Sequence, residues 1–453
     1  MKGFEKLSQE VIEQDLCTGC GTCIGVCPTS TLSWKNEKVQ NDKNKCIECG
    51  KCVVACPGKK FSMLQFSKEL YKTEYAKDSL FGNYETIWNA YSGDETIRQV
   101  GASGGVVTQL LVDMLSRKMI DGAVVVMNKR DNACEFEAIV ATNRQEIIMA
   151  AKSKYVVIPV NEIIHRIKEC DQKSIAFVGL PCQIQGMRKA MQNDKALSEK
   201  LAILISLFCG FNMEKEATDY LIKKSGIEKE KIRYLSYRYK KNSMTGFYIK
   251  GEDGTDFFVN KHGYTFLNLM FSPKRCWKCY DYSGEFADIS VGDAWDKCGG
   301  WSRVFIRTEC GRKVFEKSCI EKTIIAEKCN EQKIKVSQKM VVSYKKRQIS
   351  VREKIMKTFP EYDVEYNKID WQTKLKGVAL YMILAFFKTR FGKVMEIIIP
   401  FKALSKLSER LKGKEVDNSL DGIKKQGIIN AETVRYVFWG VITVGVNYGS
   451  YIL

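Results

Sequence analysis

The chain has 453 residues, enough for about three domains, and 45% of them are apolar, so sizeable cores can form. Lys+Arg exceed Asp+Glu by 19, which points to nucleic acid, anionic lipid or an acidic redox partner; no nucleic-acid motif is present, so the last two lead. Only His165 and His262 are available, which sets aside chemistry built on histidine dyads or on several histidine metal ligands.

In chain order, Met1–Gln14 is charged and reads as a short amphipathic helix, not a signal peptide. Eighteen cysteines without disulfide-scaffold spacing then suggest metal ligands in a reducing compartment. Residues 1–65 form a cysteine-rich α+β module. From about Tyr84 to Val342 short apolar runs alternate with helical patterns, which predicts a mixed α/β body. Its strands are expected at Ala123–Met127, Ser174–Gly179, Leu201–Phe208 and Ala287–Val291. Its helices are expected at Gly104–Arg117, Asn161–Cys170, Gln183–Gln192 and Glu214–Lys224. Past Tyr344 the chain turns basic and helical, forming a carboxyl-terminal helical tail. Residues 343–433 read as a basic helical linker and 434–453 as a transmembrane segment.

The internal repeat C-x-x-C-G-x-C-x-x-x-C-P carries the strongest chemistry. It occurs at Cys17, Cys20, Cys23, Cys27, Pro28 and again at Cys46, Cys49, Cys52, Cys56, Pro57. Two-residue gaps let three thiolates wrap one face of a 4Fe–4S cubane, and Gly21 and Gly50 relieve the tight turns. In this two-cluster ferredoxin arrangement the fourth cysteine ligates the other cluster. One cluster then takes Cys17, Cys20, Cys23 and Cys56, and the other Cys46, Cys49, Cys52 and Cys27. Structural zinc is the competing reading, but zinc uses separated C-x-x-C pairs.

In the body, two predicted strands run into cysteines, Cys182 and Cys209. If the strands are parallel neighbours, both thiols lie on the carboxyl edge of the sheet, where α/β folds place ligands. Cys276 and Cys279 add a C-x-x-C. Four converging thiols make a third cluster site; otherwise Cys182 and Cys209 are small core residues. The run Gly101-Ala-Ser-Gly-Gly105 precedes a helix, where backbone N–H groups receive a phosphate or Ser103 simply caps the helix.

The order Gly101–Gly105, Ser153-Lys154-Tyr155, Gly179-Leu-Pro-Cys-Gln183, Phe208-Cys-Gly210, Arg275-Cys-Trp-Lys-Cys279 and Ala287–Asp293 resembles the coenzyme F420 hydrogenase/dehydrogenase beta-subunit family. The resemblance covers about residues 85–342, divided into parts 85–165 and 170–342. It implies an FAD-binding body that exchanges electrons between a deazaflavin-like or other hydride carrier and iron–sulfur centres, and it supports the third cluster at Cys182, Cys209, Cys276 and Cys279. It suggests Ser103, Gly104, Gly105, Lys154 and Tyr155 for the flavin site, with Lys154 and Tyr155 nearest the chemistry. A lysine there stabilises the anionic reduced ring; a solvated surface lysine is the plainer reading of Lys154. A non-catalytic subunit that wires ferredoxin to a separate enzyme stays open beside the flavoenzyme.

Gly377–Phe387 is an apolar run too short to span a bilayer comfortably, and Gly413–Gln426 looks like a charged linker. Tyr436–Leu453 is uncharged and resembles the opening of GtrA-type membrane proteins, which implies a setting in envelope-polysaccharide or glycolipid metabolism. Lys424, Lys425 and Arg435 precede it, so the body is expected on the cytoplasmic face. The basic stretch Lys374–Lys414, interleaved with aromatic and β-branched residues, is expected either on anionic lipid or covering the body.

Overall fold

The computed structural model describes residues 3–76, 79–242, 244–366, 368–389 and 401. Met1–Glu409 form one compact unit; the other, Arg410–Leu453, lies wholly outside the described residues, and with it the charged stretch Gly413–Gln426 and the expected terminal span.

The strands are β1 (Leu32–Lys35), β2 (Lys38–Asn41), β3 (Lys60–Phe61), β4 (Thr86–Ser92), β5 (Gly122–Asn128), β6 (Phe136–Ala141), β7 (Ile175–Gly179) and β8 (Leu201–Leu207). There follow β9 (Ile232–Lys241), β10 (Met244–Gly251), β11 (Asp256–Asn260), β12 (Ile289–Asp293), β13 (Ser302–Ile306), β14 (Ile324–Lys328) and β15 (Glu361–Tyr362). An eight-stranded sheet in the order β14-β4-β13-β12-β8-β7-β5-β6 organises the body. Its centre, β12-β8-β7-β5, is parallel, and its flanks are antiparallel. The near-continuous apolar runs of β5, β7 and β8 suit strands covered on both faces. One face packs Phe177, Ile184 and Leu204; the other packs Leu110, Ile203 and Val304. A separate antiparallel sheet, β11-β10-β9, stands beside it.

The cysteine-rich module folds around two short helices, Thr22–Gly25 and Lys51–Val54. Gly21 and Gly50 cap them at φ of 83° and 75°, a left-handed conformation that costs glycine little. Gly21 also lies so close to the body that a Cβ would stand 2.3 Å from the Pro159 carbonyl oxygen. Asn161, fully buried, stitches module to body: its side-chain amide nitrogen donates to Thr22 Oγ1 and to the Gln183 carbonyl, both at 2.8 Å. Phe61 and Phe66 stack at 4.4 Å between centroids, and Phe286 of the body meets Phe61 edge-on at 4.9 Å.

The body does not end at Val342. Tyr344, Lys345, Lys346, Ile349 and Arg352 are buried, and β15 pairs in parallel with β3 of the cysteine-rich module. The stretch reads in sequence only as basic and helical, but Lys346 forms an ion pair with the fully buried Glu285 inside the core. The first part of the expected linker is thus structural. Among the described residues no helix is long and apolar enough to cross a membrane.

Candidate iron–sulfur and cofactor sites

The two cysteine runs exchange partners in space. Cys17, Cys20, Cys23 and Cys56 line one cavity, with Leu7, Val11 and Val39 around them. Cys27, Cys46, Cys49 and Cys52 line the other, beside Phe4 and Leu32. Cys56 and Cys27 have each crossed to the opposite triad, because each short helix turns its last cysteine away from its own loop. Burial pushes the Cys56 thiol up to about 12, helped by the charges of Cys20 and Cys17. Burial, then Cys49, pushes Cys52 up to about 11. Four crowded thiols resist ionising together, so such a cage calls for positive charge at its centre. Cys27 differs: burial works against its thiolate, but hydrogen bonds with Thr31 and Thr29 prevail and hold it below the usual value. Cys56 Sγ accepts from the Gly58 N–H at 3.3 Å.

The body thiols also converge. β7 and β8 are parallel neighbours, and Cys182 and Cys209 follow their carboxyl ends. Pro181 opens the helix Pro181–Gln192, placing Cys182 in its first turn. Burial pushes Cys182 well above the usual thiol value, reinforced by Cys20, Cys209, Cys279 and Cys276. Burial likewise raises Cys209 to about 12, opposed by Lys345 and reinforced by Cys276 and Cys279. The Cys209 N–H donates to the Tyr282 carbonyl at 2.9 Å, tying that strand end to the loop after Cys279. Among the described residues no three His, Cys, Asp or Glu side chains stand close enough to hold a single metal ion. A four-iron cubane spaces its thiolates wider than one zinc does, and each of the three cysteine sets is a candidate for such a cluster.

Gly105 caps the helix Val106–Ser116 at φ of 75°; Ser103 is not the cap, and its hydroxyl instead meets Ser302 Oγ at 2.9 Å. Gly104 donates its N–H to the same Ser302 oxygen at 3.1 Å, and a Cβ on Gly104 would stand 2.6 Å from the Ala90 carbonyl oxygen. Lys154 Nζ donates to the carbonyls of Ala150, at 2.5 Å, and Ala151, at 3.1 Å; burial and neighbouring Lys152 push it down to about 7. Neither a free surface lysine nor one reaching across an open cleft describes it. Tyr155 Oη accepts from Arg238 at 3.0 Å; burial raises its phenol, but Arg238 and Lys261 outweigh that and hold it below its usual value.

Arg238 is the residue the sequence did not disclose. It lies on β9, a strand with no motif of its own, yet its guanidinium donates to the Ala102 carbonyl, to Tyr155 and to Asp293 at 2.9 Å. It thus joins the Gly101–Gly105 loop to the Ser153–Tyr155 segment at the end of β12. Lys261 also pairs with Asp293, at 3.0 Å. Burial disfavours the Asp293 carboxylate, but Arg238 and Lys261 win and hold it well below the usual range. The buried Arg238 Nε has no partner among the described residues, and Lys240 donates to the Arg98 carbonyl nearby at 2.7 Å. A glycine loop backed by an arginine with a donor to spare, with lysines around it, fits a phosphate-bearing cofactor.

Three family models match the chain in order: a 4Fe-4S dicluster domain over residues 9–57, and the amino-terminal and carboxyl-terminal parts of the coenzyme F420 hydrogenase/dehydrogenase beta subunit over 87–165 and 172–332. With the fold above, they define an iron–sulfur protein of the oxidoreductase electron-transfer class. The coenzyme F420 hydrogenase subunit beta of Methanococcus voltae is 30% identical over 240 residues, covering 52% of this chain and 82% of that protein. An F(420)H(2) dehydrogenase component of Methanosarcina mazei is 27% identical over 311 residues, covering 68% and 83%. The chain belongs to the coenzyme F420 hydrogenase/dehydrogenase beta-subunit family. A coenzyme F420-dependent sulfite reductase of Methanocaldococcus jannaschii is 28% identical over 326 residues, but the chain spans only 47% of its length. In the F420-reducing NiFe hydrogenase complex of Methanosarcina barkeri, one chain shares the fold with a TM-score of 0.50 at 23% identity, over 61% of this chain and 94% of that one. The family matches stop at residue 332, and none of them reaches the stretch that resembles GtrA-type proteins.

Proposed function

We propose that this chain is a flavin-dependent oxidoreductase that passes electrons between a deazaflavin-like or other hydride carrier and a redox partner protein, through FAD and three 4Fe–4S clusters. When bound, FAD accepts or gives a hydride as two electrons, and the clusters carry electrons singly. Cys17, Cys20, Cys23 and Cys56 hold one cluster, Cys27, Cys46, Cys49 and Cys52 the second, and Cys182, Cys209, Cys276 and Cys279 the third. Ser103, Gly104 and Gly105 form the turn into the helix Val106–Ser116, whose first free N–H groups would receive the cofactor phosphates, and Arg238 and Lys261 supply positive charge. Lys154, which burial and neighbouring Lys152 push down to about 7, holds or releases a proton at its Nζ.

The observation that carries the reading is the sequence of neighbours. Cys182 feels the charge of Cys20, and Asn161 binds the Cys20 loop and the Cys182 helix at once, its own N–H donating to the Cys20 carbonyl at 2.8 Å. At the far end Cys49 is exposed. Thiol sets therefore run from the sheet edge to the surface. Anaerobic purification with iron, sulfide and flavin counts tests this: about twelve iron atoms and one FAD per chain are expected, taking four irons per cluster. The engagement of Lys154 by two carbonyls favours a second reading, an electron-wiring subunit without a hydride site; twelve irons with no flavin after reconstitution would select it.

The same reading sets the protein on the cytoplasmic face of the cell membrane, attached through its carboxyl end. A setting in envelope-polysaccharide or glycolipid metabolism rests on the carboxyl-terminal resemblance alone.

A further inference from the structure

The helix Trp371–Phe387 has two apolar faces. Its inner face covers the third thiol set: Leu384 is fully buried against Trp277 and Tyr344, beside Cys276, and Tyr381 meets Trp277 edge-on at 6.5 Å. Gly377 lets the helix approach, since a Cβ there would already touch Gln348 and Val351 at 3.4 Å. The opposite face is exposed among the described residues. Trp371, Leu375, Val378 and Met382 are 70%, 61%, 38% and 60% exposed. Their spacing of four, three and four residues puts them within an arc of about 60° on the helix. Single exposed apolar residues are ordinary, but an aligned stripe that includes tryptophan marks an interaction surface.

Charge says which surface. Asp370 caps the helix, and from Trp371 to Met395 the sequence has no Asp or Glu, while Lys374, Lys376, Arg390 and Lys393 fall within it beside Lys388, which is paired with Glu214. Lys374 and Lys376 are exposed on either side of the stripe. Tryptophan and aliphatic residues flanked by lysines are what an in-plane helix presents to a bilayer of anionic lipid. We infer that the outer face of Trp371–Phe387 seats on an anionic membrane surface, so that the same helix caps the Cys276–Cys279 loop on one side and rests on lipid on the other. The inference rests on the membrane-side reading above but assigns the contact to this helix, apart from the terminal segment.

The test is flotation of the full-length, anaerobically purified protein with vesicles of phosphatidylcholine alone or mixed with phosphatidylglycerol. Trp371→Ser/Leu375→Ser/Met382→Ser should weaken partitioning to mixed vesicles at least about tenfold, since each buried CH₂ contributes. Lys374→Gln/Lys376→Gln should weaken it about fivefold per lysine on mixed vesicles and leave phosphatidylcholine unchanged. All five positions are exposed, and an unaltered iron content and melting curve shows that the fold is intact. Ile442→Lys/Val446→Lys, which disables the terminal segment as a span, should keep both the anionic preference and the sensitivity to the helix substitutions. Loss of all binding in that variant, or a triple variant that floats like wild type, overturns the inference and leaves the terminal-segment reading standing. A chain that is dimeric by light scattering and becomes monomeric in the triple variant gives the face to a second copy and overturns it too.

Discussion

Replacing Lys346 by Met should destabilise the protein by about 4 kcal/mol, the cost of leaving a buried carboxylate uncompensated. Lys346 and Glu285 are 1% and 0% exposed as side chains, so water screens neither. Glu285 also accepts from Tyr75 Oη at 2.5 Å, and Lys346 sits 3.5 Å above the Tyr280 ring, a contact that adds about 1 kcal/mol. Burial disfavours the ammonium, yet Glu285, Tyr280 and Asp281 raise the Lys346 pKa, so the lysine is held charged. Glu285→Gln leaves Asp281 to face the lysine and should cost about 3 kcal/mol. The double variant should be less damaged than the sum of the two by about 2–3 kcal/mol, since neither charge is then stranded. Anaerobic urea unfolding of the four proteins measures the cycle. Because Glu285 closes the loop that starts at Cys279, Lys346→Met should also lose about four iron atoms while keeping the other eight. A Lys346→Met cost below about 1 kcal/mol, or additive single effects, would refute the claim that residues beyond Val342 are built into the core.

Cys56→Ser should abolish the same electron paramagnetic resonance signal as Cys20→Ser and spare the one lost in Cys49→Ser; the reverse pairing would refute the exchange of fourth cysteines. Asp293→Asn strands the buried Arg238 guanidinium with one partner fewer and should cost about 3–5 kcal/mol in urea unfolding and, on the proposed flavin reading, lower the FAD content after reconstitution; a cost below about 1 kcal/mol would show that Arg238 finds its charge balance elsewhere. Glu37, in the turn between β1 and β2, accepts from the Lys215 N–H at 2.9 Å, and burial, then a hydrogen bond with Glu216, raises its pKa from 4.5 to about 7. A carboxyl with a raised folded pKa contributes its full stability below pH 4.5 and loses it as pH rises towards 7. Glu37→Gln should therefore raise the thermal midpoint at about pH 8 and change it little near pH 4.5; an equal gain at both would exclude titration of this carboxyl.

What the sequence determined by itself was everything set by short-range spacing. The two cysteine runs, their helix-capping glycines, and the strands ending before Cys182 and Cys209 follow from local geometry: a thiol repeat, a left-handed residue, a continuous apolar run. The helix over 106–116 was legible for the same reason, although its cap is Gly105 because Ser103 turns to Ser302 across the sheet. Only the tertiary structure decided what distant strands deliver to one place. Arg238 has no signal in its own stretch of alternating residues; it matters because β9 carries it to Ala102, Tyr155 and Asp293. Lys154 was visible as a residue, but the carbonyls that take its ammonium were not. Lys345 and Lys346 belong to a stretch that reads only as basic and helical until Glu285, some sixty residues earlier, is folded against Lys346 and the Cys276 carbonyl against Lys345. A charge in sequence is assigned to water by default, and only packing shows whether it has been taken out of it and which opposite charge stabilises it there.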